Sequence, residues 1–380
     1  KSCRSGKGIM NRDTRVCAVA LSGGVDSSYA AFLLRERFDV VVGVSHFIWK
    51  DSRCCNVRAI SKARALCRRL DIPYHLIDME EPFRRLVVDD FIATYKRGMT
   101  PNPCVRCNER MRFTLFFDAV GDLLRSEGIL GEGEDFTFST GHYARVERRD
   151  GRVTLRKGID PEKDQSYMLY RVPLRVLARC EFPLGGLRKA DVVRDAAARG
   201  LIDPETTDSG VAGPDPAGAV EESQEACFVD TTYTDFLSRY LPPERGFRQG
   251  EIVDTAGAII GRHRGFINYT IGQRKGLGLG SGPWYVVRID PDRNRVVVGR
   301  REELGRTDFF GVEPVWFIEP GTGVSCSVQV RYRSRETGGV VTPLKDGRVS
   351  VNLGAPVTVS PGQSAVFYQG DEVIGGAVIE

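Results

Sequence analysis

The chain has 380 residues, 41% of them apolar and 27% charged, with a formal net charge of +4. That length and balance predict two or three globular domains with a sizeable core, and exclude a disordered or fibrous protein. No run approaches the roughly 18 apolar residues that a membrane span requires, and so small a net charge permits an acidic partner without pointing to one.

Residues 1–14 are polar and glycine-containing and lack the apolar stretch of a secretory signal. They read as a disordered lead-in, and the protein as cytoplasmic, where thiols stay reduced. The ten cysteines then require burial, metal binding or catalysis rather than a disulfide framework. Apolar runs predict strands at 16–21, 40–45, 74–77 and 136–140, and periodicity predicts helices at 29–37, 57–70, 83–95, 108–124 and 187–199. Strands alternating with helices over 15–215 argue for a parallel sheet covered on both faces, with ligands bound beyond the carboxyl ends of its strands. Residues 203–218 (DPETTDSGVAGPDPAG) predict a mobile linker. Beyond it, short alternating runs broken by Gly and Pro predict a small mixed domain at 216–285 and a C-terminal β-barrel at 286–380.

The run Ala20-Leu21-Ser22-Gly23-Gly24-Val25-Asp26-Ser27-Ser28 joins the first strand to the first helix. Gly23 and Gly24 let backbone N–H groups approach a phosphate, and the following helix N-terminus adds partial positive charge. Ser22, Ser27 and Ser28 supply hydroxyl donors, and Asp26 can hold Mg²⁺ or orient a serine. Neither a Walker A loop nor a dinucleotide fingerprint is present. The string resembles the pyrophosphate loop of enzymes that cleave ATP to AMP and pyrophosphate; an ordinary strand-turn-helix is the plainer alternative.

The second motif is Thr100-Pro101-Asn102-Pro103-Cys104-Val105-Arg106-Cys107-Asn108. With the helix expected from Asn108, the dipole together with Arg106 and Arg110 would stabilise a Cys107 thiolate. Cys227, in ESQEACF (222–228) beside the linker, is a third candidate. Three readings stand open: a nucleophilic pair of Cys107 and Cys227, a metal or iron–sulfur site on Cys104, Cys107 and Cys227, or buried thiols packing as small hydrophobes. The last suits Cys17, Cys67, Cys180 and Cys326, which lie in apolar or amphipathic runs. Cys3 falls in the lead-in, and Cys54-Cys55 reads as loop packing. Basic clusters occur at Arg106/Arg110/Arg112, Arg262/His263/Arg264, Arg274/Lys275 and Arg331/Arg333/Arg335, each equally compatible with a solvated face.

Taken in order, SGGVDSS, TPNPCVRCN, GHYAR (141–145), KDQSYMLY (163–170), SQEACF (223–228), YTIGQRKGLGLG (269–280), PWYVV (283–287), VRYR (330–333) and PGQSAVFY (361–368) resemble the tRNA-specific 2-thiouridylase family. The resemblance implies an adenine-nucleotide-hydrolase-like PP-loop domain, a small central domain and a C-terminal β-barrel. It implies that ATP, with Mg²⁺, adenylates the C2 oxygen of the wobble uridine (position 34), and that a cysteine persulfide supplies the sulfur. By position, Cys107 matches the nucleophile and Cys227 the persulfide carrier, and a transient Cys107–Cys227 disulfide is implied. Residues 20–27, His46 and Gly141 match ATP contacts. Asn102, Pro103 and Cys104 match the segment that touches the target base. His142, Lys163, Asp164, Gln165, Arg331, Tyr332 and Gln363 match tRNA contacts. Many members carry Asp where this chain has Cys104, which keeps a three-cysteine [4Fe-4S] cluster open. The implied partners are the tRNA anticodon arm and a sulfur-donor protein, a cysteine desulfurase or sulfur relay. Two other classes are kept: an ATP-dependent amide-forming synthetase, and a redox- or metal-responsive tRNA-binding protein with a vestigial nucleotide site.

Overall fold

The computed structural model describes residues 13–49, 57–201, 226–229, 232–242 and 246–380. Cys3, Cys54-Cys55 and the 203–218 stretch lie outside the described residues, as do residues 1–12 of the expected lead-in. Its last two residues, Asp13 and Thr14, instead open strand β1 (Asp13–Ala20).

β1 sits at the centre of a five-stranded sheet, flanked by β2 (Phe38–Phe47) and β4 (Thr137–Ser139). β3 (Tyr74–Asp78) pairs with β2, and the short Cys180–Glu181 strand pairs with β4. All these pairings are parallel. The near-continuous burial of β2 is what a strand covered on both faces requires. Helix α1 (Val25–Arg35) returns from β1, and α2 (Val57–Leu70) turns Ala63, Leu66 and Cys67 inward at helical spacing.

Three expected helices start earlier than their periodicity suggested. The first opens at Val25, directly after Gly24, so Asp26 and Ser27 belong to its first turn. The second covers 80–96 without a break. The third opens at Pro103, which occupies the first helical position under an Asn102 cap, with Asn102 Oδ1 accepting from Val105 N at 3.2 Å. It runs to 126, and its Cys107–Leu115 stretch is wound as a π-helix.

Strand Gly250–Asp254 pairs antiparallel with Ile259–His263 and parallel with Arg295–Gly299, which in turn pairs with Tyr285–Asp290. The 285–299 segment therefore belongs to the middle sheet and not to the barrel, whose start was expected at 286. The barrel closes through Gly305–Trp316, which pairs with both Val349–Thr358 and Glu372–Ile379. A hairpin of Ala144–Arg149 and Arg152–Lys157 was not expected. It extends from the N-terminal domain and pairs Leu155 with Val373 of the barrel, so the two domains share one continuous sheet. Its turn is Asp150-Gly151, both residues in the left-handed region, the tight hairpin signature that the sequence displays at that point.

Candidate active site

The phosphate turn is held from beneath. Leu21 N donates to Val44 O at 2.8 Å, and Ser45 Oγ donates to Leu21 O at 2.7 Å, so β2 pins the chain where it leaves β1. Gly23 has φ +73°, and a Cβ there would lie 2.4 Å from the Ala59 carbonyl oxygen. Gly24 caps α1 without a side chain, which leaves the N–H groups of the first turn directed at the space beyond β1. Ser27 and Ser28 fold their hydroxyls back onto Gly24 O, at 3.1 and 2.9 Å, and Ser22 N donates to Ser27 Oγ at 3.2 Å.

Gly141 closes the other side. A Cβ at that position would meet Asp26 C and Ser27 N at 2.9 Å, so only glycine lets the chain leaving β4 run against the turn. An uncapped helix end and a left-handed glycine, held by the close backbone approaches at Gly23 and Gly141, fit a polyphosphate.

Two residues that the sequence reading missed bear on Asp26. Tyr143 Oη donates to Asp26 Oδ1 at 2.7 Å and Lys189 Nζ at 2.5 Å. Burial, reinforced by Asp26, pushes the Tyr143 hydroxyl well above its usual range. Asp26 thus orients a tyrosine and a lysine rather than the serines expected. Lys189 opens the helix Lys189–Ala198, 163 residues from Asp26, and no local pattern in the sequence marks the pairing.

The same chain that covers the phosphate turn reaches the cysteine helix. His142 follows Gly141, and its ring packs against Phe113 (5.8 Å between centroids) and Phe182 (5.9 Å). Its Nδ1 lies 2.6 Å from Thr140 Oγ1. Burial first, then the charge of Arg112, pushes the imidazole down to about 3, so it is neutral at physiological pH. His46, on β2, is buried edge-on to Phe116 of the same long helix, with 4.8 Å between ring centroids.

Cys104 is exposed and Cys107 half-buried, three residues apart and hence on one face of the helix. Because the helix begins at Pro103, the dipole acts most strongly on Cys104; it fades by the second turn, where Cys107 lies. The expected help from Arg106 and Arg110 is also corrected, since both guanidiniums are bound by carboxylates. Arg106 lies 3.0 Å from Glu109 and 2.8 Å from Glu313, and Arg110 lies 3.3 Å from Asp90. Arg171, its side chain only 8% exposed, joins Glu109 (2.7 Å) to Glu313 (3.2 Å). Burial would raise the Glu313 carboxyl, but Arg106 and then Arg171 hold it below its usual range.

Cys227 is half-buried. Its neighbour Phe228 is buried against Phe83 (5.7 Å), Phe91 (5.2 Å) and Phe236 (5.2 Å). Phe91 follows Asp90 on the 80–96 helix, so the helix that anchors Cys227 also braces Arg106 and Arg110. Among the described residues no group of three or more His, Cys, Asp or Glu side chains is placed to hold a metal ion. The three cysteines are therefore not grouped as the ligands of an iron–sulfur cluster. Burial pushes the Cys67 thiol up to about 12 and the Cys326 thiol up to about 11, and Cys180 higher still, which keeps all three protonated and inert.

The residues matched to tRNA contacts divide. Arg331 is exposed, and Tyr332 is half-buried with its ring 5.8 Å from Tyr167. Burial raises the Tyr332 hydroxyl, with Asp164 and Cys104 near enough to add to the effect. Others are used internally. Asp164 accepts from Gly158 N (2.8 Å), Ser166 N (3.1 Å) and Ser166 Oγ (2.8 Å). Gln165 Oε1 accepts from Tyr143 N at 3.0 Å. Gln363 Nε2 donates to the carbonyls of Thr100 (3.0 Å) and Pro101 (2.9 Å), tying the loop before Cys104 to the barrel. Lys163 is half-buried beside them. His263, expected in a basic cluster, is wholly buried, with Nε2 3.0 Å from Asn294 O and Nδ1 accepting from Gly265 N.

A phosphate-binding α/β domain carrying a paired-cysteine helix, joined to a middle sheet and a closed barrel, defines a multidomain tRNA-modifying enzyme once three family models are laid along it. They are described as a tRNA methyl transferase HUP domain (residues 15–212), a tRNA methyl transferase PRC-barrel domain (234–300) and an aminomethyltransferase β-barrel domain (306–379). The chain is 40% identical to the tRNA-specific 2-thiouridylase MnmA of Acidithiobacillus ferrooxidans over 370 residues, 95% of this chain and 97% of that one. It is 43% identical to that of Chloroflexus aurantiacus over 374 residues, with the same coverage. A solved 4-thiouridine synthetase bound to RNA and ATP superposes weakly, with a TM-score of 0.31 and 16% identity over 49% of this chain and 41% of that one. The chain belongs to the tRNA-specific 2-thiouridylase family: it is a tRNA sulfurtransferase that thiolates uridine.

Proposed function

We propose that the chain carries out ATP-dependent 2-thiolation of the wobble uridine of tRNA. The observation that supports this reading most is the single stretch 140–143, which lies against the phosphate turn at Gly141 and against the cysteine helix at His142. One nucleotide can then meet both.

In this reading the uridine C2 oxygen attacks the α-phosphorus of ATP. An O–P bond forms and pyrophosphate leaves toward the first-turn amides of α1, with Lys189 countering its charge. Mg²⁺ would neutralise the departing oxygens, and Asp26 Oδ2 is the carboxylate oxygen left for it, because Oδ1 is taken by Tyr143 and Lys189. Adenylation turns a poor leaving group into AMP. The terminal sulfur of a persulfide on Cys227 then attacks C2 and AMP departs. The Cys107 thiolate next attacks Cys227 Sγ, which releases the thiolated base and leaves a Cys107–Cys227 disulfide for a dithiol reductant to reopen. A reducing compartment, the cytoplasm, suits that last step, and the persulfide comes from a cysteine desulfurase or a relay protein. Arg331 and Tyr332, with Asn102, Pro103 and Cys104, hold the anticodon loop around the target base, and Lys163 meets a phosphate.

The decisive experiment incubates the enzyme with unmodified tRNA, ATP, Mg²⁺, a persulfide source and a dithiol, followed by nucleoside mass analysis. One AMP per 2-thiouridine at the wobble position is expected. Thiolation without AMP, or at another atom or position, overturns the reading.

A further inference from the structure

A cavity of about 460 Å³ opens on the middle sheet and shares no residue with the phosphate turn or the cysteine helix. Arg274, Leu277, Leu279, Pro283, Trp284 and three glycines line it. We propose that it is a nucleotide-docking pocket, in which an unpaired base of the tRNA stacks on Trp284 while its phosphate meets Arg274. The proposal rests on the family's tRNA substrate.

The pocket is built rather than incidental. Trp284 Nε1 donates to Gly280 O at 2.9 Å, and the Arg300 guanidinium lies 3.9 Å from the indole centroid. Arg300 is itself fastened to the carbonyls of Ser281 (3.1 Å) and Pro283 (3.0 Å). The indole is thereby held as a fixed plate, so little side-chain freedom remains to be lost on stacking. Gln273 clamps the loop, accepting from Thr270 N and donating to Lys275 O, both at 3.0 Å. Gly276 and Gly278, with φ of +79° and +65°, leave the rim without side chains, so that a backbone can approach closely. The volume falls within the roughly 300–1,000 Å³ of small-ligand sites.

Charge selects the occupant. Between Asp254 and Asp290 the sequence has no acidic residue, yet it carries Arg262, Arg264, Arg274, Lys275 and Arg288. Among the described residues only Arg288 of these five has an ion pair, at 3.8 Å from Asp290. Arg262, Arg264, Arg274 and Lys275 are exposed. An acidic protein segment would satisfy the cations but would not use a rigid aromatic plate; a nucleotide uses both. The middle sheet also packs against the chain that leads into the cysteine helix. Gly98, on the chain leading to Cys104, packs so that a Cβ would lie 2.9 Å from Pro291.

The test measures tRNA affinity against salt for Trp284→Ala, Trp284→Phe and Arg274→Gln. Trp284→Ala should weaken binding about 10- to 100-fold, and Trp284→Phe by less than about 3-fold because a ring remains. Arg274→Gln should lower the slope of log affinity against log salt by about 0.9, the loss of one phosphate contact. Turnover at saturating tRNA should stay within about twofold of wild type. If Trp284→Ala fails to fold by circular dichroism, the Arg274→Gln slope decides. Wild-type affinity and slope in the variants overturn the pocket alone, as does a defect confined to accepting sulfur from a protein donor. Failure of the wild-type protein to bind tRNA overturns the pocket and the family reading together.

Discussion

The phosphate turn and the cysteine helix both pack against the 140–143 stretch, yet they are built by opposite means. The turn is made of backbone: Gly23 and Gly141 contribute the absence of a side chain, one within the strand-helix connection and the other at a close approach of two chains. The helix is made of side chains whose environment arrives from elsewhere. Arg106, between the two cysteines, is bound by Glu109 on its own helix and by Glu313 of a barrel strand, with Asp90 of the 80–96 helix 3.8 Å away. A backbone site declares itself in a short string. An electrostatic site depends on residues more than two hundred positions distant, and a reading confined to neighbours misjudges it.

The largest effect should fall on the two reactive cysteines. Cys107→Ser and Cys227→Ser are each expected to reduce 2-thiouridine formation on the order of a thousandfold or more, while pyrophosphate release from ATP in the presence of tRNA continues. Nucleoside mass analysis beside a pyrophosphate assay reads both. If Cys107→Ser abolishes pyrophosphate release as well, the two regions do not divide the chemistry.

On the turn, Lys189→Met should lower kcat/KM for ATP on the order of a hundredfold, with Lys189→Arg recovering part of it and tRNA affinity unaltered. Lys189 Nζ is the cation nearest Asp26, and methionine keeps the stem while removing the charge. Equal loss with Lys189→Met and Lys189→Arg would mean that the lysine acts through packing around Tyr143 rather than through its charge.

His142 joins the two regions, and its titration reports on that junction. In the folded protein its imidazole titrates near 3, against an ordinary value of 6.5. Between those values the unfolded chain binds the extra proton, so the residue's contribution to stability is complete above pH 6.5 and is lost as pH falls toward 3. One proton gives a slope of at most about 1.4 kcal/mol per pH unit. Urea midpoints from pH 7 to pH 4 should therefore fall less steeply in His142→Phe than in wild type. Parallel curves would place the imidazole in solvent instead of between Phe113 and Phe182.

How far the sequence could be read follows the same division. The alternation of strands and helices, the parallel sheet and the glycine turn rest on local pattern, and all three appear in the structure. The start of the cysteine helix was set one turn late because its periodic stretch begins at Asn108, although Asn102-Pro103 is itself an N-cap followed by a first-position proline. That error transferred the dipole argument from Cys104 to Cys107. The hairpin at 144–157 was visible in Asp150-Gly151 but passed over, and its pairing with Val373 is long-range. The partnership of Asp26 with Lys189 spans 163 residues and has no local signature. The π-wound stretch from Cys107 to Leu115, with Phe113 at φ −102° and ψ 16°, carries Phe113 against Phe138 and Phe182, contacts that no local pattern announces.

The smallest effect tests whether the charge network around Arg106 is what holds the helix. Glu313 adopts φ +50°, a left-handed conformation costly for a residue with a Cβ, at an irregularity in its strand's pairing. Its carboxylate is half-exposed and shared by two arginines, so Glu313→Gln should cost only about 1 kcal/mol, because Glu109 continues to bind both guanidiniums. Glu313→Gly loses the same ion pairs but relieves the backbone, a gain of about 1 kcal/mol that should leave it close to wild type in denaturant midpoint. The order expected is therefore wild type, Gly, then Gln, with the rate of Cys107 alkylation rising only where the network loosens. A glycine variant much less stable than the glutamine variant would show that the left-handed turn is not strained. Glu313 would then serve the backbone bend itself, and the barrel would grip the cysteine helix through Gln363 and the Thr100 loop instead.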